Sequence, residues 1–124
     1  MIAHDGMVIR YFVDLSKNEI SMKIKKEEKV EELYFTGVLA HYFEHVMQGN
    51  CIGDIYDMDI NTFIDANAKV LLEGKAFCWP FNFDTIDEIK KKIEINELKV
   101  FNIEGAYGFD GWIIAKGMNI IGFK

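Results

Sequence analysis

Ile20, Met22 and Ile24 alternate with Ser21, Lys23 and Lys25. A period of two puts the apolar side chains on one face, so this stretch predicts a half-buried strand. Met7 to Leu15 precedes it across the polar Ser16-Lys17-Asn18, and the two read as a hairpin. The charge-dense run Lys25 to Glu32 predicts a solvated turn. Leu33 to Met47 fits two periods at once. Phe35, Val38, Leu39, Tyr42, Phe43, Val46 and Met47 make a helical stripe. A central strand would instead set Leu33, Phe35, Leu39 and Phe43 against Tyr34, Val38, Tyr42 and Val46. Aromatic and β-branched content, with Thr36 and Gly37 early in the run, favours the strand.

Gly49-Asn50 signals a turn, and Cys51 to Asp57 predicts a strand anchored by Ile52 and Ile55. Asp59 or Asn61 can cap a helix that ends at Gly74, with Ile60, Phe63, Ile64, Val70 and Leu71 on its inner face. Thr85 and Glu88 stand at capping-box spacing ahead of Ile86, Ile89 and Ile93, which predicts a second helix ending near Asn96. Leu98–Ile103, Trp112–Ala115 and Asn119–Phe123 read as strands, with a glycine-rich turn from Gly105 to Gly111. Strands, two helices, then strands predict an α+β fold, a mostly antiparallel sheet with two helices packed on one face. No repeat, linker or composition shift divides the chain, so residues 1–124 are expected to form one domain.

Composition narrows the functions. Half of the residues are hydrophobic and 27% are charged, which argues against disorder. The net charge is −6 and Arg10 is the only arginine. Phosphate binding needs clustered cations, so nucleic acid is disfavoured; the acidic balance first of all keeps a protein in solution, and its sharper reading is attraction to a basic partner. No apolar run approaches the roughly 20 residues that span a bilayer. The start lacks the pattern of a secretion signal, so the expectation is a cytoplasmic protein without a membrane partner. Cys51 and Cys78 form no CxxC pair and read as small buried hydrophobes.

The chemical motifs are incomplete. His41-Tyr-Phe-Glu-His45 matches the H-x-x-E-H pattern of zinc hydrolases. That chemistry needs a helix, where histidines four apart share a face; on a strand they stand about 13 Å apart. Asp57-Met-Asp59-Ile-Asn61 opens like a calcium loop, but Thr62 replaces the turn glycine and Ala68 the bidentate glutamate. Gly105, Gly108 and Gly111 precede a strand, so no helix N-terminus is there to hold phosphate. No metal, cofactor or catalytic residue is assigned. What remains is recognition. Trp79, Tyr107, Phe109 and Trp112 lie in or beside loops, and Asp54, Asp57 and Asp59 bunch near a strand end. Aromatics with carboxylates suit a surface for a basic partner.

Several stretches resemble a recurring block in small bacterial proteins, some of them immunity proteins of toxin systems. They are Phe35-Thr-Gly-Val38-Leu-Ala-His-Tyr-Phe43-Glu, Asn50-Cys-Ile-Gly-Asp54-Ile-Tyr-Asp57, Trp79-Pro80, the Ile86–Ile93 helix, and Tyr107-Gly-Phe-Asp-Gly-Trp112-Ile-Ile-Ala-Lys116. The resemblance implies a strand at Phe35–Glu44 and no catalytic residues. The turn before Gly111-Trp112 is often serine-rich in those proteins, and here it is Glu104-Gly-Ala-Tyr-Gly-Phe-Asp. The leading expectation is therefore a non-enzymatic protein-binding domain of the toxin-immunity type. It would meet a basic toxin through Asp54, Asp57, Asp59, Trp79, Tyr107 and Trp112. The alternatives are a small-molecule-binding domain, with Trp79, Tyr107 and Trp112 lining a pocket, and a zinc hydrolase at His41 and His45.

Overall fold

The computed structural model describes residues 6–106 and 108–123. Its strands are β1 (Gly6–Asp14), β2 (Glu19–Lys26), β3 (Lys29–Thr36), β4 (Ala40–Glu44) and β5 (Cys51–Met58), then β6 (Lys99–Gly105), β7 (Asp110–Ala115) and β8 (Gly117–Phe123). Between β5 and β6 lie α1 (Ile60–Gly74), a 3-10 turn (Lys75–Phe77) and α2 (Ile86–Ile95). The strands form one antiparallel sheet in the order β4-β7-β6-β5-β1-β2-β3-β8. The fold is α+β, as the order of elements predicts.

That order forces the sheet to bend. β3 and β4 lie six positions apart in the sheet, about 29 Å if it were flat. The chain from Thr36 to Ala40 reaches only about 14 Å. Ala115 and Gly117, the facing ends of β7 and β8, are separated by Lys116 alone. Both connections are therefore one corner. β3 pairs with β8, and β4 with β7, so two long antiparallel arms bend together as a ribbon. The Lys116 amide donates to the Thr36 carbonyl at 2.9 Å and to that of Gly37 at 3.2 Å. Gly37 takes φ +61° there, and a Cβ would run into the Lys116 side chain. The predicted single strand over 33–47 is thus two strands, with the corner at 37–39 between them.

Bending folds the inner face onto itself. Ile20, Met22, Ile24, Leu33 and Phe35 pack against Ile52, Ile55, Phe101, Ile103 and Ile113. Rings of Phe35 and Phe101 meet edge to face at 5.5 Å. The outer face of β4-β7-β6-β5 carries the helices: Phe63 and Leu71 of α1 and Ile89 and Ile93 of α2 cover Ala40, Val100, Trp112 and Ile114. Both faces of β7 are buried, which is why it reads as a continuous apolar run.

Two bulges set the faces. Ile52 and Ile55 are three apart yet both buried inside, which period-two geometry forbids unless one residue is extra. The register with β6 shifts at Gly53. In β1 the shift falls at Ile9, so Val8 and Tyr11 stand opposite the inward Ile24 and Met22.

Several local expectations need correction. Lys25–Glu32 is not a solvated turn: β2 and β3 run through it, the turn is Glu27-Glu28 alone with Glu27 at φ 57°, and Glu32 is buried between neighbouring strands. Cys78 is exposed, in a left-handed position after the 3-10 turn, and Cys51 is half-buried. Asp59 caps α1 as expected, accepting from the Thr62 amide at 3.0 Å. The box at α2 is displaced: the Thr85 side chain makes no capping bond, and Glu88 accepts from the Asp84 amide at 2.7 Å.

β4 rests on a glycine. Gly111 stands opposite Phe43, and a Cβ there would fall inside the Tyr42 carbonyl. Gly111→Ala should push β4 off β7 and cost about 3 kcal/mol or more in urea unfolding. Gly117→Ala, where a Cβ meets open space, should stay within about 0.5 kcal/mol of the parent. Equal losses at both positions would refute this account of the β4 edge.

Candidate binding surface

The outer face of β4-β7-β6-β5 changes character along the strands. One cross-strand row is Ala40, Ile114, Val100 and Met58, covered by the helices. The next is Tyr42, Trp112, Asn102 and Tyr56. Beyond it stand Glu44 opposite Asp110 and Asp54 opposite Glu104. The Gly105 amide donates to Asp110 Oδ1 at 3.0 Å, which ties the two pairs together. Four carboxylates from four strands thus form one acidic row, with a row of aromatic and amide groups behind it.

The second row is held by hydrogen bonds. Tyr56 donates to Glu104 Oε1 at 2.9 Å and accepts from Asn102 Nδ2 at 3.1 Å. Trp112 Nε1 donates to Asn67 Oδ1 of α1 at 3.1 Å. A recess of about 210 Å³ opens between the two rows and α1, reaching Ala66 and Asn67. Its field is negative. Burial first, then the Glu44 and Glu73 carboxylates, raise the Tyr42 phenol above its usual pKa. Burial, then the Glu104 hydrogen bond, does the same at Tyr56. Among the described residues, none of the four carboxylates joins an ion pair.

The sequence-derived residues are only partly brought together. Asp54 lies in the acidic row. Asp57 takes the opposite face of β5, across from Phe101, because strand neighbours three apart diverge. Asp59 is engaged as the α1 cap. Trp112 is not a loop residue: it is 1% exposed in mid-strand, beneath Phe63 at 5.0 Å between rings. Phe109 is likewise buried. Trp79 is half-buried and packs on Trp112 at 5.5 Å and Tyr42 at 6.1 Å. Tyr107 lies outside the described residues. Tyr42, Glu44, Tyr56, Glu104 and Asp110 were missed as a group. Their signal was present as carboxylates two residues from an aromatic or amide: Tyr42/Glu44, Asp54/Tyr56, Asn102/Glu104 and Asp110/Trp112.

The zinc reading loses its geometry. His41 belongs to β4, and His45 follows the strand at φ 56°, so no helical face unites them. A larger cavity, about 600 Å³, lies elsewhere. The β1/β5 ladder opens beyond Val8, whose amide donates to the Asn50 carbonyl at 2.9 Å. Met7, Ile9, Tyr11, Val46 and Met47 wall the gap, and Phe109 lines it.

No protein family matches the chain, and no curated protein or solved structure matches it either.

His41 is half-buried against Phe43, 5.2 Å between rings, and burial lowers its pKa below the usual 6.5. The unfolded chain then binds the proton more readily than the folded one. This contribution is complete above about pH 6.5 and is lost as pH falls below it. Urea midpoints should therefore drop between pH 7 and pH 5 in the parent, and less in His41→Gln. Parallel profiles for the two would refute the assignment.

Proposed function

We propose that this protein is a non-enzymatic protein-binding domain of the toxin-immunity type that covers a basic partner with its acidic row. Glu44, Asp54, Glu104 and Asp110 supply charge, and Tyr42 and Tyr56 supply aromatic contact beside it. One observation carries the reading: two like-charged pairs stand directly opposite each other across adjacent strands. Such pairs destabilise a sheet by some tenths of a kcal/mol to about 1 kcal/mol each. A cationic partner would relieve that repulsion on binding, and its approach would be steered by the same field. Phosphate-bearing partners would be repelled. No helix among the described residues is long and apolar enough to cross a membrane. We place the protein in the cytoplasm, where it would meet such a partner.

The test pairs affinity with stability. Tagged parent and Glu44→Lys/Glu104→Lys protein are incubated with host lysate at low and high salt. A basic protein should be retained by the parent at low salt and released at high salt. The variant should bind it at least about tenfold more weakly. The same variant should unfold within about 1 kcal/mol of the parent, since each reversal turns a repulsive pair into an attractive one while Glu104→Lys gives up the hydrogen bond from Tyr56. Retention of the same protein by both would end this reading. Trp112→Ala is unsuitable as a probe, because emptying that site costs about 3–5 kcal/mol and unfolding would pass for lost binding.

The cavity beside β1 favours a second reading, a small-molecule site. Its volume falls in the usual range for ligand pockets of roughly 300–1,000 Å³, with mostly apolar walls and Arg10 and Gln48 as polar groups. A fragment screen read by thermal shift should then give stabilising compounds whose effect disappears in Met47→Trp. Shifts that survive this substitution would place the compounds elsewhere.

A further inference from the structure

We propose that the cavity beside β1 takes an apolar monocarboxylic acid, with its hydrocarbon body between β1 and residues 46–49 and its carboxylate on Arg10. The proposal rests on the small-molecule reading of this cavity and names the class of ligand. Exposed apolar surface gives the first reason. Among the described residues twelve large apolar side chains are exposed, and five of them, Met7, Ile9, Tyr11, Val46 and Met47, line this one cavity. Apolar surface gathered around a concave site marks a place for an apolar ligand.

The walls are also held in place. Asn50 is buried and ties both sides together. Its carbonyl accepts from the Val8 amide at 2.9 Å, where β1 leaves β5, and its Oδ1 accepts from the Met47 amide at 2.6 Å. The Tyr11 ring is set edge to face against Phe43 at 5.5 Å and Phe109 at 5.4 Å. A ligand therefore meets walls that are already ordered, which limits the entropic cost of binding.

Polarity selects the head group. Arg10 carries the only charge among the described lining residues, and the other polar side chains there are the Tyr11 hydroxyl and the Gln48 amide. Among the described residues none of the three makes a hydrogen bond or an ion pair. All three can donate, and none is a carboxylate. Such a set suits an anionic head, and the guanidinium fork matches the two oxygens of a carboxylate. An ammonium head would find no counter-charge. Glu44, Asp54, Glu104 and Asp110 do not line the cavity, so the acidic row does not oppose the head group at contact range.

Titration calorimetry with octanoate, octanol and octylammonium tests this. Octanoate should bind at least about tenfold more tightly than octanol, because a hydrogen bond to a charged group is the stronger kind. Octanoate should also shift the amide resonances of Gln48 and Gly49 in the parent, and octylammonium should leave them in place. Arg10→Gln should keep the affinity for octanol and lose the preference for octanoate. Met47→Trp should abolish binding of both. Arg10 and Met47 are exposed, so both variants should keep the circular dichroism of the parent. Equal binding of octanoate and octanol, lost in Met47→Trp, would overturn the proposal and leave the cavity reading standing. So would a preference for octanoate that survives Arg10→Gln. Failure of all three compounds to bind, or binding untouched by Met47→Trp, would end both.

Discussion

Lys116 and Gly37 meet where two chain connections turn through the same corner, and the architecture hangs on that meeting. The corner joins β3 to β4 and β7 to β8, so bending one arm obliges the other to bend. Because the ribbon bends, β2 and β3 come to lie over β6 and β7, and their apolar faces share one interior. The opposite face of β4-β7-β6-β5 is left for the helices. A side chain on Gly37 would meet both an unfavourable φ and the Lys116 methylenes. The position tolerates glycine because the backbone there is shared between two layers.

The bulges act at the next level down. If β5 kept strict alternation after Ile52, Asp54 and Tyr56 would point into the apolar interior and Ile55 into water. Gly53 removes that conflict, and its small size suits a site where a Cβ would stand 3.1 Å from the Glu104 carbonyl. The acidic row therefore exists because of an extra residue in the ladder. The helices then stop short of it: α1 begins at its Asp59 cap and lies over the apolar end, leaving the carboxylates uncovered.

Much of this was legible from local pattern. Alternation at Ile20, Met22 and Ile24, the Asp59 cap, and the isoleucine spacing of α2 depend on neighbours in sequence, and all three stand as read. Beyond the β1–β2 hairpin, which pairs as read, strand partners were not legible. β8 follows β7 directly yet pairs with β3, because the corner carries it to the other layer. The acidic site failed for the same reason. Asp54, Asp57 and Asp59 are close in sequence, but alternation and capping send them to different tasks. Glu44, Glu104 and Asp110 are distant in sequence and meet only through pairing. Trp112 looked exposed beside a glycine-rich turn, but it sits two residues into β7, beneath α1.

The bent ribbon also governs how the chain reaches this state. Its two arms come from either side of both helices, so joining them closes a long loop before any contact at the corner is gained. Closure of that kind has an entropic cost that rises with loop length, and topologies rich in distant pairings fold slowly. The β1-β2-β3 meander and the β6-β7 hairpin involve near neighbours and can form early. Their apolar faces then wait for each other. Because the contacts between the two apolar faces are the most distant in sequence, their docking is where this topology meets its largest closure cost.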